Sequence, residues 1–257
     1  MSNASHPASG PRTPPSTVLS PYHTNYRNNR SNFSHLSFYA YKATTRQYLS
    51  ELNKDTKVLE YCLFQPGLFL NYLTRPYKSA KYVKPLDTPF DFANRRALLR
   101  RGGDDDYITF TTAQDLANVV AKAVEFEGEW PVEGGITGTK LSVRELIALG
   151  EDIRGMFEHV LCSEYHTNDP GGAFKVEHFT TEELECGNYK ASWLPTLDHP
   201  TILPEDVEAA SKTIVSELLL ALAEKAFETG DEWNRLLPGY EFTGAEEFLR
   251  EAWRGKP

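Results

Sequence analysis

Residues 57–64 form an almost unbroken apolar run, with Val58, Leu59, Tyr61, Cys62, Leu63 and Phe64, and Gln65-Pro66-Gly67 follows it. A strand that is apolar on both faces has to be covered on both faces. That is the position of a strand in a parallel sheet flanked by helices. The Pro-Gly pair ends the strand with a turn. Just before it, residues 36–53 place Phe38, Tyr41, Tyr48, Leu49 and Leu52 roughly on one stripe, which predicts a helix. A helix feeding a doubly buried strand implies an α/β protein.

The rest of the chain continues the alternation. A short helix is expected from Leu68 to Tyr72, then a loop over 78–93 punctuated by Pro85 and Pro89. Short strands are expected at 97–100 and 107–110. Thr112 caps a helix in which Leu116, Val119, Val120, Ala123 and Val124 recur at helical spacing. Gly134, Gly135 and Gly138 read as loop. Ser142 with Glu145 makes a capping box that opens a helix to about Arg154, with a strand expected over 158–163. Residues 166–200 read as irregular. A long helix is expected to start at Pro204 and stop by Gly230, with a core stripe of Val207, Ala210, Ile214, Leu218 and Leu222. Thr243 with Glu246 is read as the capping box of a last helix carrying Phe248, Leu249 and Trp253.

Residues 1–35 are different in kind. They are rich in Ser, Pro and Asn and hold few apolar groups, so they cannot repay the entropy of ordering and are expected to be a disordered tail. No Asp or Glu occurs before Glu51, whereas Arg12, Arg27, Arg30, Lys42 and Arg46 do, so the body of the chain is more acidic than the formal charge of −9 suggests. An acidic body argues against nucleic-acid or anionic-membrane partners. No apolar run approaches the roughly 18 residues needed to cross a bilayer. Three cysteines, Cys62, Cys162 and Cys186, do not make a disulfide framework, which predicts a reducing, cytoplasmic setting.

Three constellations bear on chemistry. Lys42, with Tyr39 and Tyr41, lies on the helix before the apolar strand. In a dry cleft such a lysine can orient hydroxyls, or act as acid or base if burial lowers its pKa. Spacing alone favours a solvated lysine on an amphipathic helix. Second, Gln65, Pro66 and Gly67 sit at the carboxyl end of the apolar strand, where open α/β sheets place ligands. Phe69 and Tyr72 follow and could cover a flat ring, although core packing is the commoner use of such aromatics. Third, a dinucleotide loop needs a glycine run between a strand and a helix. Gly102-Gly103 precede acidic residues, and Gly134-Gly135-Ile136-Thr137-Gly138 precedes no suitable helix start, so neither fits. No zinc-type ligand spacing and no Gly-x-Ser-x-Gly elbow is present.

The order Tyr41-Lys42, Arg46, Tyr48-Leu49, Val58-Leu59-Glu60-Tyr61 and Phe64-Gln65-Pro66-Gly67-Leu68-Phe69 with Asn71-Tyr72 resembles the NmrA-like, isoflavone-reductase-like family. Asp91-Phe92-Ala93-Asn94, Ile108-Thr109-Phe110-Thr111-Thr112, Asp115-Leu116-Ala117 and Trp130-Pro131 extend the resemblance toward the C-terminus. It implies a partial Rossmann-like parallel sheet over the first part of residues 36–257 and a smaller substrate-type α/β domain after it. It implies NADP or NAD as cofactor and a small-molecule substrate. Lys42 would then stand at the family's catalytic lysine, and Gln65, Pro66, Gly67, Phe69 and Tyr72 near the nicotinamide. The family's glycine loop should precede Lys42, and residues 1–37 do not supply it. The expectation is therefore a reductase-type protein with weak or no catalysis. The alternatives are a non-catalytic dinucleotide sensor or partner-binding regulator, and an inactive gene-model fragment. The missing strands would leave an apolar sheet edge open to self-association or a protein partner.

Overall fold

The computed structural model describes residues 16–19, 40–161, 173–197 and 202–256. The elements run β1 (Ser16–Leu19), α1 (Ala40–Leu52), β2 (Tyr61–Gln65), β3 (Leu68–Phe69), β4 (Phe90–Asp91), β5 (Arg96–Arg100), β6 (Tyr107–Thr111) and α2 (Ala113–Glu125). They continue with β7 (Glu133–Gly135), β8 (Thr139–Ser142), α3 (Val143–Leu161), β9 (Lys175–Phe179), α4 (Thr181–Cys186), α5 (Val207–Ala223), α6 (Glu232–Leu236) and α7 (Ala245–Trp253). The protein is α/β, as the alternation predicts.

The second half of the apolar run becomes β2, the centre of a parallel sheet ordered β1-β2-β7, while residues 57–60 lie outside the strand and Val58 is exposed. All five residues of β2 are buried. On one side, Leu49 of α1 packs with Tyr61 and Leu63. On the other, Cys62 and Phe64 meet Val119 and Ala123 of α2, together with Trp130 and Trp233. Period-two alternation thus sends one set of β2 side chains to each helix. Two further three-stranded sheets, β3-β6-β8 and β4-β5-β9, share a larger core with α3, α5 and α7.

Several sequence expectations change. The tail contains β1, whose Ser16–Leu19 pairs in parallel with Tyr61–Phe64 of β2, while residues 1–15 and 20–35 lie outside the described residues. A four-residue strand gets its order from the ladder of its neighbour, which a compositional window does not register. It also means that β2 is paired on both edges, so the expected open edge is not at β2. Leu68–Phe69 extend as a strand before a 3-10 turn over Leu70–Thr74, rather than starting a helix outright. Gly134 and Gly135 are strand residues in β7, not loop. They are small because a side chain at Gly134 would overlap Cys62 Sγ and Trp233 Nε1, and one at Gly135 would overlap the Gly230 carbonyl. Helix α3 runs on through Leu161, where a strand was expected, and residues 162–163 lie outside the description. Residues 166–200 hold β9 and α4, with a capping box from Thr180 and Glu183.

The buried stripe of α5 is Ser211, Val215, Leu219 and Leu222, rotated by about one residue from the expected one. The helix is apolar nearly all round in its second half, so periodicity fixes its phase poorly. Thr243 does not cap α7. Gly244 holds the cap position, and the Thr243 amide and hydroxyl instead donate to Asp115 at 3.1 and 3.4 Å. Thr112 and Ser142 do cap α2 and α3 as expected, the former accepting from the Asp115 amide at 2.9 Å and the latter from Glu145 at 3.2 Å.

Candidate functional site

The carboxyl end of β2 is held by its neighbours. The Ile136 amide donates to the Gln65 carbonyl at 2.9 Å, which carries the β2–β7 ladder one residue beyond the strands. Gly67 turns the chain at φ +67°, and a Cβ there would fall inside the carbonyl of Thr109 on β6. Both the left-handed backbone and the close approach require glycine. After the turn, Asn71 is buried and ties the segment to α2. Its Oδ1 accepts the Ala113 amide at 2.8 Å, and its Nδ2 donates to Ser79 and Gln114 at 3.0 and 3.2 Å. Five sequence-predicted residues, Gln65, Pro66, Gly67, Phe69 and Tyr72, therefore form one rigid corner between β2, β6 and α2.

Two of them serve the core. Phe69 and Tyr72 meet edge to face with centroids 5.6 Å apart, and both are buried. Gln65 is different. Its side chain is only 3% exposed, yet its Nε2 has no hydrogen-bond partner among the described residues. A buried amide donor without an acceptor costs about 1–3 kcal/mol, so its retention at a strand end points toward a use.

Lys42 stands on α1 seven residues before Leu49, about 10 Å along the helix axis. Burial pushes its ammonium down to about 8, and the neighbouring Arg46 charge pushes the same way. Roughly one such lysine in ten is neutral at pH 7, enough for it to give or take a proton there. Among the glycine pairs, Gly102 lies in an open turn and Gly134-Gly135 in β7, so neither cradles a phosphate.

A second feature was invisible in the sequence. A cavity of about 330 Å³ lies beside the corner and shares Tyr72 with it. Its charged wall is Arg75, Asp87, Asp91 and Arg96. Arg75 Nε meets Asp87 at 2.6 Å, and Arg96 Nε meets Asp91 at 2.7 Å. The Arg96 guanidinium also lies 4.1 Å over the Trp193 ring. Burial raises the Asp87 carboxyl above its usual value, against the Thr196 amide and Arg75. These residues are scattered along the chain, and only the packing of β4-β5-β9 collects them.

No protein-family model matches the chain, and no curated protein matches it. Solved structures do. A nucleoside-diphosphate-sugar epimerase from Staphylococcus aureus superposes with a TM-score of 0.51 at 15% identity, covering 91% of this chain and 63% of its own. Leucoanthocyanidin reductase from Vitis vinifera gives 0.50 at 12% identity, covering 91% and 68%. Triphenylmethane reductase from Citrobacter gives 0.50 at 12%, covering 93% and 65%. The chain has the fold of these epimerase and reductase structures, and it spans about two thirds of their length.

Proposed function

We propose that this chain is an NmrA-like, isoflavone-reductase-like protein whose ligand is a nicotinamide dinucleotide, NADP or NAD, placed at the carboxyl end of β2. The observation that carries the reading is the buried, partnerless Gln65 Nε2 at that strand end. A nicotinamide carboxamide supplies the acceptor this donor lacks. The fit is confined to that end of the cofactor, because no glycine cradle for its phosphates occurs among the described residues. A bound reduced nicotinamide would supply hydride. Lys42 would hold or deliver a proton, and Gly67 would let the backbone approach closely. The partial fit supports weak binding and slow or absent turnover. A non-catalytic sensor of dinucleotide is the second reading, favoured by the absence of a glycine cradle among the described residues.

Assaying NADPH oxidation by the purified chain with an enone or carbonyl substrate, beside Lys42→Ala, tests the catalytic form. Turnover lost in the variant supports the reductase. Binding of NADPH without turnover supports the sensor. Absence of both contradicts the proposal.

A further inference from the structure

The cavity between the corner and the β4-β5-β9 sheet has a wall chemistry of its own. Arg75 and Arg96 each spend the Nε–H of a five-donor guanidinium on one carboxylate. These pairs account for one nitrogen of each guanidinium, Nε, and each guanidinium carries four further N–H donors. Both side chains are held in place. Arg75 is fixed by Asp87, which also accepts the Thr196 amide at 3.0 Å. Arg96 is fixed by Asp91 and by stacking on Trp193 at 4.1 Å. Asp91 in turn accepts Asn94 through its amide at 3.1 Å and its side chain at 2.7 Å. The acceptors of this wall are thus largely committed, while the two guanidiniums are held in place and carry more N–H donors than these pairs use. The charges lining the cavity balance, two guanidiniums against two carboxylates. The other walls include Pro76, Leu86 and Pro195, which are apolar.

We infer that this cavity binds a small organic monocarboxylate, with its carboxylate on the Arg75 and Arg96 forks and its apolar body against Pro76, Leu86 and Pro195. A planar carboxylate matches the planar guanidinium fork. A single negative charge suits a wall of zero formal charge better than a phosphate dianion does. The volume, about 330 Å³, is at the lower end for a ligand pocket and suits a compact acid. The inference rests on the cavity's own wall and stands whether or not the chain turns over NADPH.

The test uses the full chain and benzoate as probe, at constant ionic strength and neutral pH, read by tryptophan fluorescence and by the unfolding midpoint. Benzamide, neutral and of the same shape, and inorganic phosphate are the companions. Benzoate should bind saturably, and benzamide about tenfold or more weaker, because it forfeits charge-assisted hydrogen bonds. Phosphate should bind more weakly than benzoate. Arg75→Gln and Arg96→Gln should each weaken benzoate by about tenfold. Arg96→Lys, which keeps the charge and loses the fork, should weaken it as well. If Arg96→Gln does not unfold cooperatively, Arg75→Gln and Arg96→Lys decide the matter. No saturable benzoate binding, equal binding of benzamide, tighter binding of phosphate, or wild-type affinity in folded variants would each overturn the assignment.

Discussion

The core around β2 and the wall around the cavity solve opposite problems. Around β2 the interior is dry and aromatic. Trp233 stacks on Phe64 at 5.4 Å, and Trp130 meets both rings edge-on at 5.8 and 6.0 Å. The Trp233 Nε1–H donates to Cys62 Sγ at 3.3 Å. Burial pushes the Cys62 thiol up to about 12, so it stays neutral and packs as an apolar group. Around the cavity the charges remain, but in pairs. Burial there raises Asp87 only partway, because Arg75 and the Thr196 amide oppose it. The first region uses close packing to hold a strand end still. The second leaves a space and surrounds it with oriented donors. Ligand chemistry is therefore expected at the border of the first and within the second.

Substitutions should separate the two regions, beginning with the packed one. Trp233→Ala removes a fully buried indole and should cost about 3–5 kcal/mol in denaturant unfolding. A loss under 1 kcal/mol would mean that the β2 core is not closed around this ring. Gly67→Ala forces a Cβ into the Thr109 carbonyl at positive φ and should cost about 2 kcal/mol or more, read by the same measurement. Unchanged stability would show that the corner is looser than the geometry indicates.

Lys42 gives a smaller effect with a defined sign. Its folded pKa, about 8, lies below the ordinary 10.5. The folded state therefore binds fewer protons than the unfolded state between those values. Stability should rise with pH from about 8 to 10.5, by about 1–3 kcal/mol after solvent screening. Lys42→Met should flatten that rise. Parallel pH curves for the two proteins would return Lys42 to the solvated reading. Smallest of all, Glu129→Gln breaks an exposed 2.5 Å pair with Lys57, and the unfolding midpoint should not move measurably.

What the sequence revealed follows the same division. The run that includes Tyr61 to Phe64 announced a parallel strand because apolar residues at both parities admit few other placements, although its first residues, Val58 to Glu60, precede the strand. Thr112 and Ser142 announced helix starts because capping is local chemistry. Strand β9 went unread because Lys-Val-Glu-His-Phe is a short, half-exposed edge sequence whose order comes from its full-length pairing with β5. Gly134 and Gly135 read as loop because the indole and thiol that require small residues there are distant in sequence. At the site, Gln65 to Tyr72 were readable as a strand-end corner. The cavity was not, since Arg75, Asp87, Arg96 and Trp193 carry no motif and meet only through tertiary packing.

The proposed nicotinamide at the β2 corner would bind with no glycine cradle for its phosphates among the described residues. The direct measurement is the thermal unfolding midpoint of the full chain against NADPH, carried to millimolar concentration because binding is expected to be weak. A ligand at about 100 times its dissociation constant adds roughly 2.7 kcal/mol and raises the midpoint by several degrees. A cooperative transition should climb with NADPH, and climb less in Gln65→Ala. A cooperative transition that stays fixed as NADPH is raised would contradict the proposed binding.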